Sequence, residues 1–266
     1  MDNDYVKINK ASWNNRTEAH VKSEFYDVKG FLDGKSSLNS IELEPLGDVR
    51  GKSILHLQCH FGQDTISLAR MGASARGVDL SDKAIEKAKE LTEMAGVECS
   101  FTCCDIYDLS DHLNEQFDIV YTSYGTIGWL PDLDKWADIV SRFLKPEGKF
   151  VFVEFHPVVW MFDNDFKEIG YNYFNSGSII ESETGTYADR EADITQDYIM
   201  WNHGLGEVLN SLIGKGMLIK SLDEFDYSPH DCFDHTIEFE PKKFRIEHLG
   251  NKIPMVYALT ASKSIE

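Results

Sequence analysis

Between Ser53 and Phe155 the chain alternates short apolar runs with segments whose apolar residues recur at helical spacing, and few folds accept that alternation. The runs Ser53–Leu57, Ala73–Asp79, Glu98–Cys103, Phe117–Thr122 and Lys149–Phe155 read as strands. Gly62–Met71 reads as a helix closed by Gly72. Ser81 suits an N-cap, with Ala84, Ile85, Ala88, Leu91 and Ala95 on one face and Gly96 at the end. Asp132–Leu144 carries Trp136, Ile139, Val140 and Phe143 at the same spacing. Strands this uniformly apolar must be covered on both faces, so the pattern predicts a mostly parallel sheet with helices on each side.

Past Phe155 the alternation stops. Residues 156–202 are rich in aromatics, Gly and Asp and read as an insertion of loops and short strands. Leu205–Ile213 resumes as an amphipathic helix and Met217–Phe225 as a sixth strand. A second irregular stretch, Tyr227–Lys252, precedes a seventh strand at Ile253–Thr260. The last two strands, joined by a loop, can pair antiparallel. Residues 1–50 are helix-like, with Trp13, Phe25, Tyr26 and Phe31 scattered among breaks at Gly30, Gly34 and Ser36-Ser37. The expected organisation is an N-terminal helical cap over 1–50 and an α/β domain over 51–266.

Three features follow the first three strands. The run Leu55-His56-Leu57-Gln58-Cys59-His60-Phe61-Gly62 is a strand entering a tight turn and a helix, where backbone amides face a ligand. Asp79 ends the second strand about 20 residues on, the place where a carboxylate grips a ribose diol. Asp105 follows the third strand and can accept from an adenine amino group, with Leu80 and Ile106 on either side of the ring. Alone, Asp79 could equally be a helix-start charge and Asp105 a turn residue; the register of all three is what points to a nucleoside.

These residues resemble the class I S-adenosylmethionine-dependent methyltransferases. Ile54–Leu91 looks like the family's first two motifs; Phe117-Asp118-Ile119-Val120 and Leu144-Lys145-Pro146-Glu147-Gly148-Lys149 look like its fourth strand and the turn into its fifth. The resemblance covers about 51–155 well and 204–260 loosely. It implies a doubly wound, seven-stranded Rossmann-like sheet, S-adenosylmethionine as cofactor with S-adenosylhomocysteine as product, and a cofactor site of Gln58, Cys59, His60, Gly62, Asp79, Leu80, Asp105, Ile106 and Ser123. The family's loop carries an acidic residue and three glycines. Here His56, Gln58 and His60 replace the acid and the first two glycines, and only Gly62 matches. The variant Leu-Gln-Cys-His-Phe-Gly is similar to that of a bacterial subgroup, implying a small-molecule acceptor.

Methyl transfer is an in-line displacement that needs alignment and a dry cleft, with a general base where the acceptor carries a proton. His156, directly after strand five, is the expected base; the alternative is a loop histidine capping the strand. Tyr124, Trp129, Trp160 and His203 are expected on the acceptor side, with Trp13 and Tyr26 from the cap. Residues 1–50 and 156–202 hold Trp13, Tyr26, Trp160, Tyr171, Tyr173 and Tyr198 and are expected to form a lid. His230, Cys232 and His235 lack recognised zinc spacing, so no metal is expected. The net charge of −19 disfavours phosphate backbones, and no apolar run approaches a membrane span. An odd five cysteines and no apolar leader fit a reducing cytoplasmic setting. The alternatives are a non-catalytic binder of the same cofactor and, less well supported for want of a glycine-rich pyrophosphate loop, a nicotinamide-dependent oxidoreductase. Oligomeric state and acceptor identity are not legible.

Overall fold

The computed structural model describes residues 4–264. In chain order the elements are α1 (Asp4–Lys22), α2 (Val28–Leu32), α3 (Ser40–Leu46), β1 (Ser53–Leu57), α4 (Gln63–Arg70), β2 (Ser74–Asp79), α5 (Asp82–Ala95), β3 (Ser100–Cys103), α6 (Leu109–His112), β4 (Phe117–Ser123), α7 (Leu133–Phe143), β5 (Leu144–Phe155), β6 (Ile179–Thr184), β7 (Thr195–Met200), α8 (Leu205–Gly214), β8 (Met217–Phe225), β9 (Thr236–Glu240), β10 (Lys243–Ile246) and β11 (Val256–Lys263). Seven strands form one sheet in the order β3-β2-β1-β4-β5-β11-β8. The first five run parallel, and β11 lies antiparallel between β5 and β8. The strand order reverses between β1 and β4, so the carboxyl ends of those two strands border a crevice.

Local chemistry accounts for the element ends. Ser81 Oγ accepts from Ala84 N at 3.0 Å and starts α5, and Gly96 closes it at φ 65°. Asp132 caps α7 through Lys135 N. The buried face of α7 sets Trp136 edge-on to Phe150, 5.6 Å between ring centres, and 5.3 Å from Phe152. Trp136 is fully buried, and truncating such a side chain costs about 3–5 kcal/mol.

Several boundaries differ from the sequence reading, those of β11 and β5 most. β11 begins at Val256 rather than Ile253, because Pro254 has no N–H to donate to a ladder. β5 begins at Leu144, which pairs with Phe117 before the register shifts to Ile119 and Lys149. The irregular stretch 227–252 contains the β9–β10 hairpin.

The N-terminal helix and the 156–202 segment meet over the carboxyl edge of the sheet. Asn9 Nδ2 donates to Ile199 O at 2.8 Å while its Oδ1 accepts from Ile199 N at 2.9 Å, locking α1 to β7. Asn14 and Lys10 dock the same helix on Asp82 at the start of α5. Trp201 N donates to Gly128 O, tying the end of the hairpin to the loop after β4. No helix among the described residues is long and apolar enough to cross a membrane.

Candidate active site

A cavity of about 1180 Å³ opens where β1 and β4 diverge. Its floor is the turn after β1, in which alternate residues take left-handed backbone: Gln58 (φ 54°), His60 (φ 50°) and Gly62 (φ 80°). A side chain in that region costs on the order of 1–2 kcal/mol, and both non-glycine residues are held by their own bonds. Gln58 Nε2 donates to Thr126 O at 2.8 Å. His60 Nε2 lies 2.9 Å from His20 Nδ1, with Trp13 5.1 Å and Phe61 4.5 Å from its ring. Gly62 has no substitute: a Cβ there would fall 2.7 Å from the Phe101 ring and 2.9 Å from Ala88 Cβ. Cys59 is buried, its sulfur against Gly77.

Asp79 joins this turn to the end of β2. Its Oδ2 accepts from His60 N and its Oδ1 from Ser81 N, each at 2.8 Å. That uses two of the roughly four acceptor sites of a carboxylate and leaves the rest toward the cavity it lines. Burial pushes its carboxyl up to about 6. At the end of β3, Asp105 accepts from Tyr107 N at 2.9 Å, and burial raises its pKa as well. Leu80, Asp105 and Ile106 all line the cavity. Ser123 Oγ donates to Asp64 Oδ2 at 3.3 Å across the mouth of β1 and β4.

The loop after β4 is built on Glu154. This buried carboxylate accepts from the backbone N–H groups of Gly125, Thr126 (2.7 Å), Ile127 (3.2 Å) and Phe155 (2.7 Å) and from Thr126 Oγ1 (2.9 Å). Trp129, anchored by Nε1 to Gly125 O, is thereby held 5.2 Å from Trp13. Tyr124 packs against His230 and Phe155, and Trp160 against Phe155 and Phe233. Tyr26 meets Tyr187 hydroxyl to hydroxyl at 2.5 Å.

Two expected site residues are corrected, His156 on the acceptor side and Tyr173 in the lid. His156 does not border the cavity. Its N–H pairs with Met255 O, its Nδ1 accepts from Val158 N, and its Nε2 lies 2.9 Å from Glu224. Glu224 lies on β8, in register with Tyr257 and, through it, with Glu154, and burial lowers the His156 pKa. His203 borders the cavity as expected, with Nε2 on Leu130 O and Nδ1 3.0 Å from Glu207. Tyr173 gives its hydroxyl oxygen to Leu205 N and packs on Gly204, outside the cavity. Of the former metal candidates, His230 enters the cavity, His235 pairs with Asp165, and Cys232 sits near Ser228. No group of three His, Cys, Asp or Glu among the described residues is placed to hold a metal.

Residues 54–148 match the sequence profile of a methyltransferase domain. An uncharacterized methyltransferase of Synechocystis is 33% identical over 136 residues, 49% of this chain and 60% of that protein. The chain thus spans about three fifths of that relative's length. The solved S-adenosylmethionine-dependent methyltransferase of Mesorhizobium loti matches 87% of this chain and all of its own, at a TM-score of 0.56 and 22% identity. The structure of DhpI with S-adenosylhomocysteine matches the full length of both chains, at a TM-score of 0.58 and 15% identity. The strand order, with its single antiparallel insertion, decides the matter. The chain has the class I methyltransferase fold, and residues 54–148 match a methyltransferase domain.

Within that domain the substituted loop keeps the backbone that glycines would adopt, with Gln58 and His60 supplying side chains in their place. Several lining residues escaped the sequence reading: Arg16, Asp64, Glu154 and Tyr187, with His20 behind them. A signal for two of them exists. The buried face of α1 is polar, with Asn9, Ser12, Arg16 and His20 at helical spacing. Such a stripe is costly unless it serves a partner.

Proposed function

We propose that this protein is an S-adenosylmethionine-dependent methyltransferase acting on a small-molecule acceptor. The observation that carries the reading is the convergence on one cavity of the left-handed 58–62 turn, the half-used Asp79 carboxylate and Asp105. The fit to the cofactor is supported by buried atoms without partners among the described residues, Gln58 Oε1 and His60 Nδ1, both beside the turn. In this reading Asp79 takes the ribose hydroxyls, Asp105 the adenine amino group, and Leu80 and Ile106 flank the ring, while the bound cofactor supplies an electrophilic methyl group. A cavity of about 1180 Å³ exceeds the ~300–1,000 Å³ of a usual single-ligand site, so an acceptor fits beside the cofactor. Phe155, Trp160 and Phe233 give it apolar walls and exclude water. With His156 turned away, alignment carries the chemistry. The described part of segment 1–50, from residue 4, and segment 156–202 act as the lid.

The test is calorimetric binding of S-adenosylhomocysteine and NAD, followed by transfer of labelled methyl from S-adenosylmethionine across a metabolite panel. S-adenosylhomocysteine binding without NAD binding, plus turnover on a panel member, is expected. Binding without turnover on any acceptor class would favour a non-catalytic cofactor binder, and no binding would refute the assignment.

A further inference from the structure

Arg16 is a buried cation whose hydrogen-bonding capacity is mostly unspent. It sits on α1 with 4% of its side chain exposed and lines the cavity. Trp13, Trp129 and Tyr198 surround the guanidinium, their ring centres 5.4, 5.3 and 4.9 Å away. Those faces offset part of the desolvation of the charge. One of its five N–H groups is used: Nη2 donates to Glu183 at 2.7 Å. Among the described residues Nε, which is buried, and Nη1 have no hydrogen-bond partner. Glu183 approaches from β6 with 38% of its side chain exposed, so the protein's own carboxylate holds only the solvent-side corner of the fork.

A guanidinium presents donors in a planar fork matched to a carboxylate, and leaving such donors buried and unmade is costly. The surroundings fit a ligand as well. His60, 5.1 Å from Trp13 between ring centres, contributes a second buried unpartnered atom, Nδ1, on the floor of the same cavity.

Resting on the cofactor reading above, we propose that Arg16 is the carboxylate-binding site of this cavity. Its free edge takes a carboxylate from a bound ligand, either the amino-acid end of the cofactor or the acceptor. Because Glu183 shares the guanidinium, the same contact ties the occupied site to the β6–β7 hairpin.

Arg16→Gln and Arg16→Lys are compared with the unaltered chain by calorimetry. The probes are S-adenosylhomocysteine and 5′-methylthioadenosine, which lacks the amino-acid part. Benzoate against benzamide is followed by ligand-observed NMR, with and without S-adenosylhomocysteine. A tenfold or greater loss of S-adenosylhomocysteine affinity in Arg16→Gln, with 5′-methylthioadenosine unchanged, assigns the cofactor's carboxylate. Unchanged nucleoside binding with loss of a benzoate-over-benzamide preference assigns the acceptor's. Arg16→Lys keeps the charge without the fork and is expected to fall between. Unchanged 5′-methylthioadenosine binding shows that the variants fold, and the lysine variant serves if the glutamine one does not. If neither substitution alters any carboxylate-bearing probe, Arg16 is structural and the proposal is overturned. Failure of the unaltered chain to bind either nucleoside would instead sink the cofactor reading, while the benzoate arm still reads Arg16.

Discussion

Asp79 allows the cofactor site to be tested quantitatively. In Asp79→Asn the side chain keeps its shape, but its NH₂ must face His60 N–H or Ser81 N–H, both of which now donate at 2.8 Å. The variant also loses the charge that would receive ribose hydroxyls. Hydrogen bonds to a charged group contribute about 1.5–3 kcal/mol, so S-adenosylhomocysteine should bind about 10–150-fold more weakly. The same carboxylate predicts a pH dependence. Burial raises it to about 6, and only the ionised form accepts two hydroxyl protons. Affinity is therefore full above about pH 7 and falls as the pH drops through 6. At pH 5 roughly one tenth of the carboxylate is ionised, for about a tenfold loss. His60 and His230, held down by burial to about 3 and about 4, titrate below this window. Glu42, raised by burial to about 7, titrates inside it but is retained in the variant, so the difference between the two profiles belongs to Asp79. Calorimetry from pH 5 to 8 on both proteins makes the measurement. A wild-type dissociation constant flat across that range, or an Asp79→Asn constant within twofold of wild type, would show that Asp79 only fastens the turn.

Three further outcomes follow from the geometry. His156→Gln should leave S-adenosylhomocysteine affinity within about twofold, since the ring faces Glu224 and not the cavity; a loss above tenfold would restore it to the site. Glu154→Gln turns an NH₂ toward converging backbone donors and should cost about 1–3 kcal/mol; a melting temperature lowered by roughly 2–4 °C per kcal/mol is expected in calorimetry, and an unchanged one would mean the loop does not depend on it. Hydrogen exchange should show α1 and the β6–β7 hairpin gaining protection when S-adenosylhomocysteine binds, because Asn9 and Ile199 join them over the cavity; protection confined to the 58–62 turn, Asp79 and Asp105 would dismiss the lid.

The order of apolar runs and amphipathic segments along 53–155 carries the parallel half of the sheet. Strands covered on both faces have to be apolar throughout, and that constraint is written locally. The same holds for Ser81 and Gly96 at the ends of α5, and for Asp79 and Asp105, whose place at strand ends follows from the alternation alone. Side-chain direction past a strand end is not written locally. Glu154 on β5 and His156 just past its end lie two residues apart, yet His156 reaches β8 and Glu154 builds the loop after β4, because β11 inserts beside β5 from about 100 residues away in the chain. Gln58 and His60 read as lost glycines until the fold shows Thr126 and His20 holding them in the left-handed region. Arg16 drew no notice in the sequence, since a charged residue on a helix is ordinarily solvated. Only the packing of α1 against a hairpin nearly 190 residues later buries it among three aromatic rings, and burial is what makes its unspent donors count.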